Sequence, residues 1–500
     1  MKGHLPGIRL LGAAGVLAML LAACTSGVSQ GEYNALKAKL ETAKAAVVVQ
    51  AGNLQPAPAG AQPTGWDTPE SIRGGLHLVS TFDSSGPDAW DAKAHPVVYF
   101  SSEGTEDSSP LYDKKTPYFA GFHIVDAQSK QVVKSALFNV GREITRFPHG
   151  VDVSPDGKWA YVGWGQKTAD GKSTEGVVAI VNVRTLKIDK LLKQESYYQG
   201  QMRSQSLHHI QAFKDWQGRD RVILQWGFGS VGGPHFILDP KNDNKVVKAI
   251  NYDDVRPLGH PFTTPSPDGK FIYVSMDSPE ISAAEAPEAA IAKLNLEDGS
   301  VKIIPGVGHH PIGIAHTADG KTTYVVDAHG SEVYKIDNTK DEVVGRTSAG
   351  VAGPYGLSLN WDETLLYVVG KGEGSHNLGG VLGVIDTKTF RQARDLVHQM
   401  PINLGGSASS VDHGILNPDP AVNELWVSNM NGWETIVVDL NTNKPIAWIP
   451  TPNGGNTHSG GFVRYSADWT GELLLDMGGP KSQSIWDIKK AKIAKLAAAR

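Results

Sequence analysis

One short unit recurs along the chain, and it limits the fold more than any other feature. His149-Gly150 leads into SPDGK and then WAYVGW. His260-Pro261 leads into SPDGK and FIYVSM, and His310-Pro311 into TADGK and TTYVVD. Tyr355-Gly356 leads into NWDET and LLYVVG, and His413-Gly414 into NPDPAVNE and LWVSN. From the histidine, or the tyrosine in its place, to the aromatic residue of the second run is 12 to 14 residues each time. The runs are β-branched and aromatic, as strands prefer. Asp-Gly between them is hairpin chemistry, because glycine takes positive φ at no steric cost. A third run follows each pair, such as SEVYKIDNTKDE and ETIVVDLNTNK.

A spacing of roughly 40 to 60 residues is that of propeller blades, each a four-stranded sheet. One blade cannot bury both faces, so blades must stack around an axis. The expected fold is all-β, a seven- or eight-bladed β-propeller, with a short N-terminal helix ahead of it. First strands are expected near His77, His149, His209, His260, His310, Tyr355, His413 and His458, and the last unit looks short of a fourth strand. Seven and eight blades both remain open.

The first strand of a blade lines the central channel, so a residue repeated at one height in every blade faces the axis. His77, His149, His209, His260, His310, His413 and His458 are therefore the candidate metal ligands. His208 and His309 double two of them. Side chains alternate along a strand, so only one of each pair is expected to face inward. Clustered neutral imidazoles without thiols suit copper, zinc, iron or nickel and not calcium or magnesium, which take oxygen. The competing reading is structural, with each imidazole bonding the neighbouring blade. No acid-base residue stands out, and Asp254 is the one carboxylate noted near the series. The Gly370–Gly380 stretch reads as a loop at the channel entrance. No nucleophile elbow or zinc-protease helix is present, so hydrolysis by those routes is not supported.

The chain's 500 residues carry a formal net charge of −5 and no basic block, which gives nucleic acid no footprint. The single cysteine, Cys24, ends Leu-Ala-Ala-Cys after a basic head (Lys2, Arg9) and an apolar run. This looks like a bacterial lipobox, in which the cysteine is lipidated. Residues 1–23 are then a signal peptide, 24–65 a lipid-anchored stalk and 66–500 the propeller. Within the stalk, EYNALKAKLETAKAAVVVQ (Glu32 to Gln50) reads as a helix and QPAPAGAQPTG as a linker. The expected address is the cell envelope on the periplasmic side, at the outer membrane if the host is Gram-negative. Lipidation of Cys24 leaves no thiol for disulfides or metal.

The units resemble the YVTN family of bacterial β-propellers over roughly residues 75 to 475. Within that superfamily, the histidine series is similar in style to the nitrous oxide reductases and the copper-containing thiocyanate dehydrogenases. The reductases also carry a cysteine-containing copper domain, which this chain lacks. The resemblance implies copper on the axis, redox chemistry on a small inorganic or sulfur/nitrogen substrate, and an external electron-transfer partner. A haem d1-binding propeller is the related alternative, with Arg142, Arg203 or Arg256 available to haem carboxylates. A non-catalytic envelope scaffold is the alternative from a different class, since fold does not fix function.

Overall fold

The computed structural model describes residues 47–50, 73–92, 95–103, 118–141, 144–146, 149–167, 174–198, 201–202, 207–226, 235–250, 262–276, 289–373, 379–392, 402–405, 410–430 and 432–498. Cys24, residues 1–23 and the linker lie outside them, as do His260, Asp254, Arg142, Arg203 and Arg256. Among the described residues no helix is long and apolar enough to cross a membrane.

The chain forms a seven-bladed β-propeller of four-stranded antiparallel blades. Their inner strands are Gly460–Tyr465 in blade 1, Val151–Val153 in blade 2, Leu207–Lys214 in blade 3 and Thr263–Pro265 in blade 4. Pro311–His316, Pro354–Leu359 and Val411–Leu416 follow in blades 5, 6 and 7. Neighbouring inner strands touch from blade 1 round to blade 7, and that of blade 7 meets the strand Gly471–Asp476.

The blade count comes from how the ends join. Blade 1 takes its inner strand from the C-terminal part of the chain and its other three strands, Val97–Ser102, Tyr118–Asp126 and Gln131–Gly141, from the N-terminal part. Val97 pairs with Val463 and Phe100 with Gly460 across the seam. A Cβ on Gly460 would lie 1.6 Å from the Tyr99 carbonyl oxygen, so only glycine lets the two strands meet. The last unit therefore completes the first blade, which excludes an eighth. The segment around His77 is not a first strand either. Arg73–Thr81 adds a fifth strand to the outside of blade 2, antiparallel to Lys187–Tyr198.

The hairpin chemistry is local and repeated. In blade 2, Ser154 Oγ bonds Asp156, Trp159 N–H donates to Ser154 Oγ, and Gly157 has φ +72°. Blade 4 repeats this with Ser266, Asp268, Phe271 and Gly269. In blades 6 and 1 the glycine's place falls to Glu363 and Trp469, which keep the positive φ. Each unit's second-strand aromatic is buried between blades. Tyr161 also donates to Asn244 in blade 3, at 2.5 Å, and Tyr367 to Asn443 in blade 7.

Two segments depart from expectation. Val47–Gln50, the end of the expected N-terminal helix, is a strand parallel to Gln131–Gly141 on the outer edge of blade 1. Three consecutive valines, stiff at χ1, favour that state. The expected short C-terminal unit instead holds a strand, Gly471–Asp476, which pairs with the inner strand of blade 1 from within the ring. Leu474, Leu475, Met477 and Ile485 join the central core there, and residues 475–480 face the inner strands of blades 5 to 7. The helix Gln483–Ala498 follows, tied down by buried Lys489, whose ammonium donates to the Asn360 carbonyl. The channel is filled at this end. The histidines stand at the other.

Candidate metal centre

Among the described residues, five imidazoles from four blades converge on the axis. His149 precedes the inner strand of blade 2, His208 and His209 lie on that of blade 3, His413 on that of blade 7, and His458 precedes that of blade 1. The ring of His458 lies 3.4 Å from that of His149, 4.9 Å from His209 and 5.0 Å from His413, centroid to centroid. His208 lies 4.9 Å from His149 and 3.9 Å from His209. All five are buried. Two sets, His149/His208/His458 and His209/His413/His458, bring their ring nitrogens within 4.8 Å of one another, close enough to hold a metal ion. His458 belongs to both.

A second layer orients these rings. His149 Nδ1 bonds the buried Glu103 carboxylate, and His458 Nδ1 bonds Asp412 Oδ2 at 2.5 Å. A carboxylate on one ring nitrogen fixes the tautomer and turns the other nitrogen to the metal. Lys371 sits 3.0 Å from Asp412 and 3.1 Å from Glu373, with its ammonium 3.8 Å over the ring of Tyr355. The Tyr355 hydroxyl is 3.2 Å from His208 Nε2. Phe262 packs 5.3 Å from His209 and 5.7 Å from His413, walling the blade 4 side.

The electrostatics keep His413 and His458 neutral. Burial, then the Lys371 and His149 charges, hold His413 well below the ordinary histidine range. Burial and the neighbouring imidazoles do the same to His458. Burial raises Asp412 to about 8, with Lys371 opposing. Burial alone would lower Lys371, but Asp412, Tyr355 and Glu373 outweigh it and hold the ammonium charged. Nε2 of both His413 and His458 is buried without a hydrogen-bond partner. Such an atom costs about 1–3 kcal/mol unless something binds it. Neutral, inward-facing, unbonded imidazole nitrogens backed by carboxylates are what a late first-row metal needs, so the donor set fits.

His149, His209, His413 and His458 are thus brought together as the repeat implied. His77 is not: it is exposed on the outermost strand of blade 2, opposite Lys193. His310 is buried at the start of blade 5, but its backbone N–H donates to Asp327 and its ring stacks on His329 at 4.6 Å, outside both sets. His208 joins against the rule of alternation. Leu207 pairs with Trp226 and His209 with Gln225, so His208 is a bulged residue. A bulge places two successive side chains on one side. Glu103, Lys371 and Asp412 carried no repeat signal. Glu103 and Lys371 each directly follow a second strand, a place where other blades carry unrelated residues.

No family model matches the chain, and no curated protein matches it. Among solved structures it is similar to hydrazine synthase from Kuenenia stuttgartiensis, at 14% identity and TM-score 0.42, over 65% of this chain and 95% of that one. It is also similar to the dihydro-heme d1 dehydrogenase NirN, at 14% and 0.42, over 77% and 78% of the two chains. A functionally unknown protein from Desulfotomaculum acetoxidans is similar at 12% and 0.43, over 67% and 93%.

Proposed function

We propose that this chain is an exported, lipid-anchored propeller of the cell envelope whose axial imidazoles hold copper, for redox chemistry on a small inorganic or sulfur/nitrogen species. One observation carries the reading. Buried imidazoles converge from blades 1, 2, 3 and 7, carboxylates back two of them, and burial holds His413 and His458 neutral. His149, His208 and His458, or His209, His413 and His458, are the ligands. Bound there, copper would supply one-electron chemistry. Glu103 and Asp412 hold the tautomers of His149 and His458, Lys371 holds Asp412 in place, and Phe262 excludes water from the blade 4 side. Substrate and an external electron partner use the histidine end, because the C-terminal segment fills the other. Anchoring through Cys24 and an outer-membrane, periplasmic-side address belong to the same proposal.

Copper is favoured over haem d1 because the rings pack at 3.4 to 5.0 Å and leave no slot for a macrocycle between them. A pure scaffold would leave Nε2 of His413 and His458 buried with nothing to bind.

The test is elemental analysis with a visible spectrum on protein purified from its native membrane or periplasmic fraction without chelators. Stoichiometric copper is expected, lost in His458→Ala, whose ring both sets share, and kept in His77→Ala. A haem spectrum with iron would move the assignment to haem d1. No metal, and none taken up on reconstitution, would overturn the metal reading.

A further inference from the structure

Tyr355 stands in blade 6 where the repeat elsewhere carries histidine, and it reaches across the channel to blade 3. Its hydroxyl lies 3.2 Å from His208 Nε2, and both side chains are buried. The Lys371 ammonium, 3.8 Å over the ring face, holds the phenol from the other side by a cation–π contact.

A neutral imidazole has one ring proton, so one nitrogen donates and the other accepts or ligates. His149 and His458 both give Nδ1 to a carboxylate. With Nδ1 held in that bond, a metal takes Nε2, which places the ring proton on Nδ1 and leaves the carboxylate as its acceptor. At His208 the arrangement differs, because there Nε2 meets the Tyr355 hydroxyl. A metal cannot share that nitrogen's lone pair with the phenol. When His208 joins His149 and His458 around an ion, the ligating atom is therefore Nδ1. The ring proton then stays on Nε2 and is donated to the Tyr355 oxygen.

We propose that Tyr355 is a positioning residue that makes His208 ligate metal through Nδ1, opposite in sense to His149 and His458. The inference rests on the metal reading above. It gives that set a mixed coordination, two rings bound through Nε2 and one through Nδ1. An Nδ1 ligand also lies closer to its own backbone, which suits a residue carried on a bulge.

The experiment uses the full chain loaded with copper(II). Affinity is read by competition with a chelator, and the remote imidazole nitrogens by pulsed electron paramagnetic resonance. Tyr355→Phe is expected to weaken copper binding about 10- to 100-fold, the usual loss when a ligand's hydrogen-bonding partner is removed. It should also shift the coupling of one remote nitrogen. In a His208→Ala background the same substitution should change neither readout. A comparison that leaves Tyr355 intact guards against a misfolded variant. The nitrogen lost between wild type and His208→Ala should differ in coupling from those bonded to carboxylates. Copper bound with equal affinity and identical couplings in wild type and Tyr355→Phe would overturn the inference alone. The absence of copper uptake by wild type would overturn the metal reading with it.

Discussion

His458 is the residue on which the centre turns. Its ring is common to both three-histidine sets, and its Nδ1 is committed to Asp412, so only Nε2 faces inward. Its orientation therefore depends on a chain from Lys371 through Asp412 to the imidazole. Glu103 serves His149 in the same way. Asp412→Asn and Glu103→Gln should each lower copper affinity about 10- to 100-fold while the ligands stay in place. Competition titration against a chelator of known strength checks this, and unchanged affinity would mean the carboxylates do not orient the rings. His149 and His413 could be read from the sequence because they recur at one interval, and His209 and His458 because they stand at expected first strands. Their supports could not, because Glu103 and Lys371 share a structural position without sharing chemistry. Asp412 was visible only as the neighbour of His413.

At the scale of elements, the hairpins follow their sequence closely, down to the Asp-Gly turns. The misreadings come where pairing overrides pattern. Alternation would exclude His208 from the axis, and the bulge beside Leu207 includes it. The C-terminal strand inside the ring reads like an ordinary second strand, and nothing in GELLLD says which side of its partner it will take. Its seat contains a buried group of charges. Asp476 from this strand meets Asp152 from blade 2, and Lys481 lies 3.2 Å from Asp476. Burial, and then the Asp476 charge, push Asp152 well above the usual carboxylate range, and burial raises Asp476 too. A carboxyl whose folded-state value is raised contributes stability that is complete below the ordinary range and is lost as pH rises through the folded value. Asp476→Asn removes one of the two acids and keeps an acceptor for Lys481. Melting temperatures from pH 5 to 9 should therefore fall less steeply in this variant than in wild type. Parallel curves would show that the pair does not titrate over that span.

For the whole molecule, the sequence left seven and eight blades equally open because closure is non-local. The unit near His458 is not a blade of its own but the missing strand of the first. The centre sits across that seam, with Glu103 from the N-terminal side and His458 from the C-terminal side. Any ion bound there ties the two sides together. Copper at a hundred times its dissociation constant should add about 2.7 kcal/mol to stability. Denaturant titration with and without copper should show the gain in wild type and lose it in His458→Ala. The seam also orders events in time. Until the residues around His458 have been made and have closed against Val97–Ser102, the other imidazoles have no completed pocket. A chain still being synthesised, or still threading through a membrane, therefore has no centre to load. On the metal reading, loading would be the last step of maturation, and the compartment where the ring closes would decide which metal pool the protein meets.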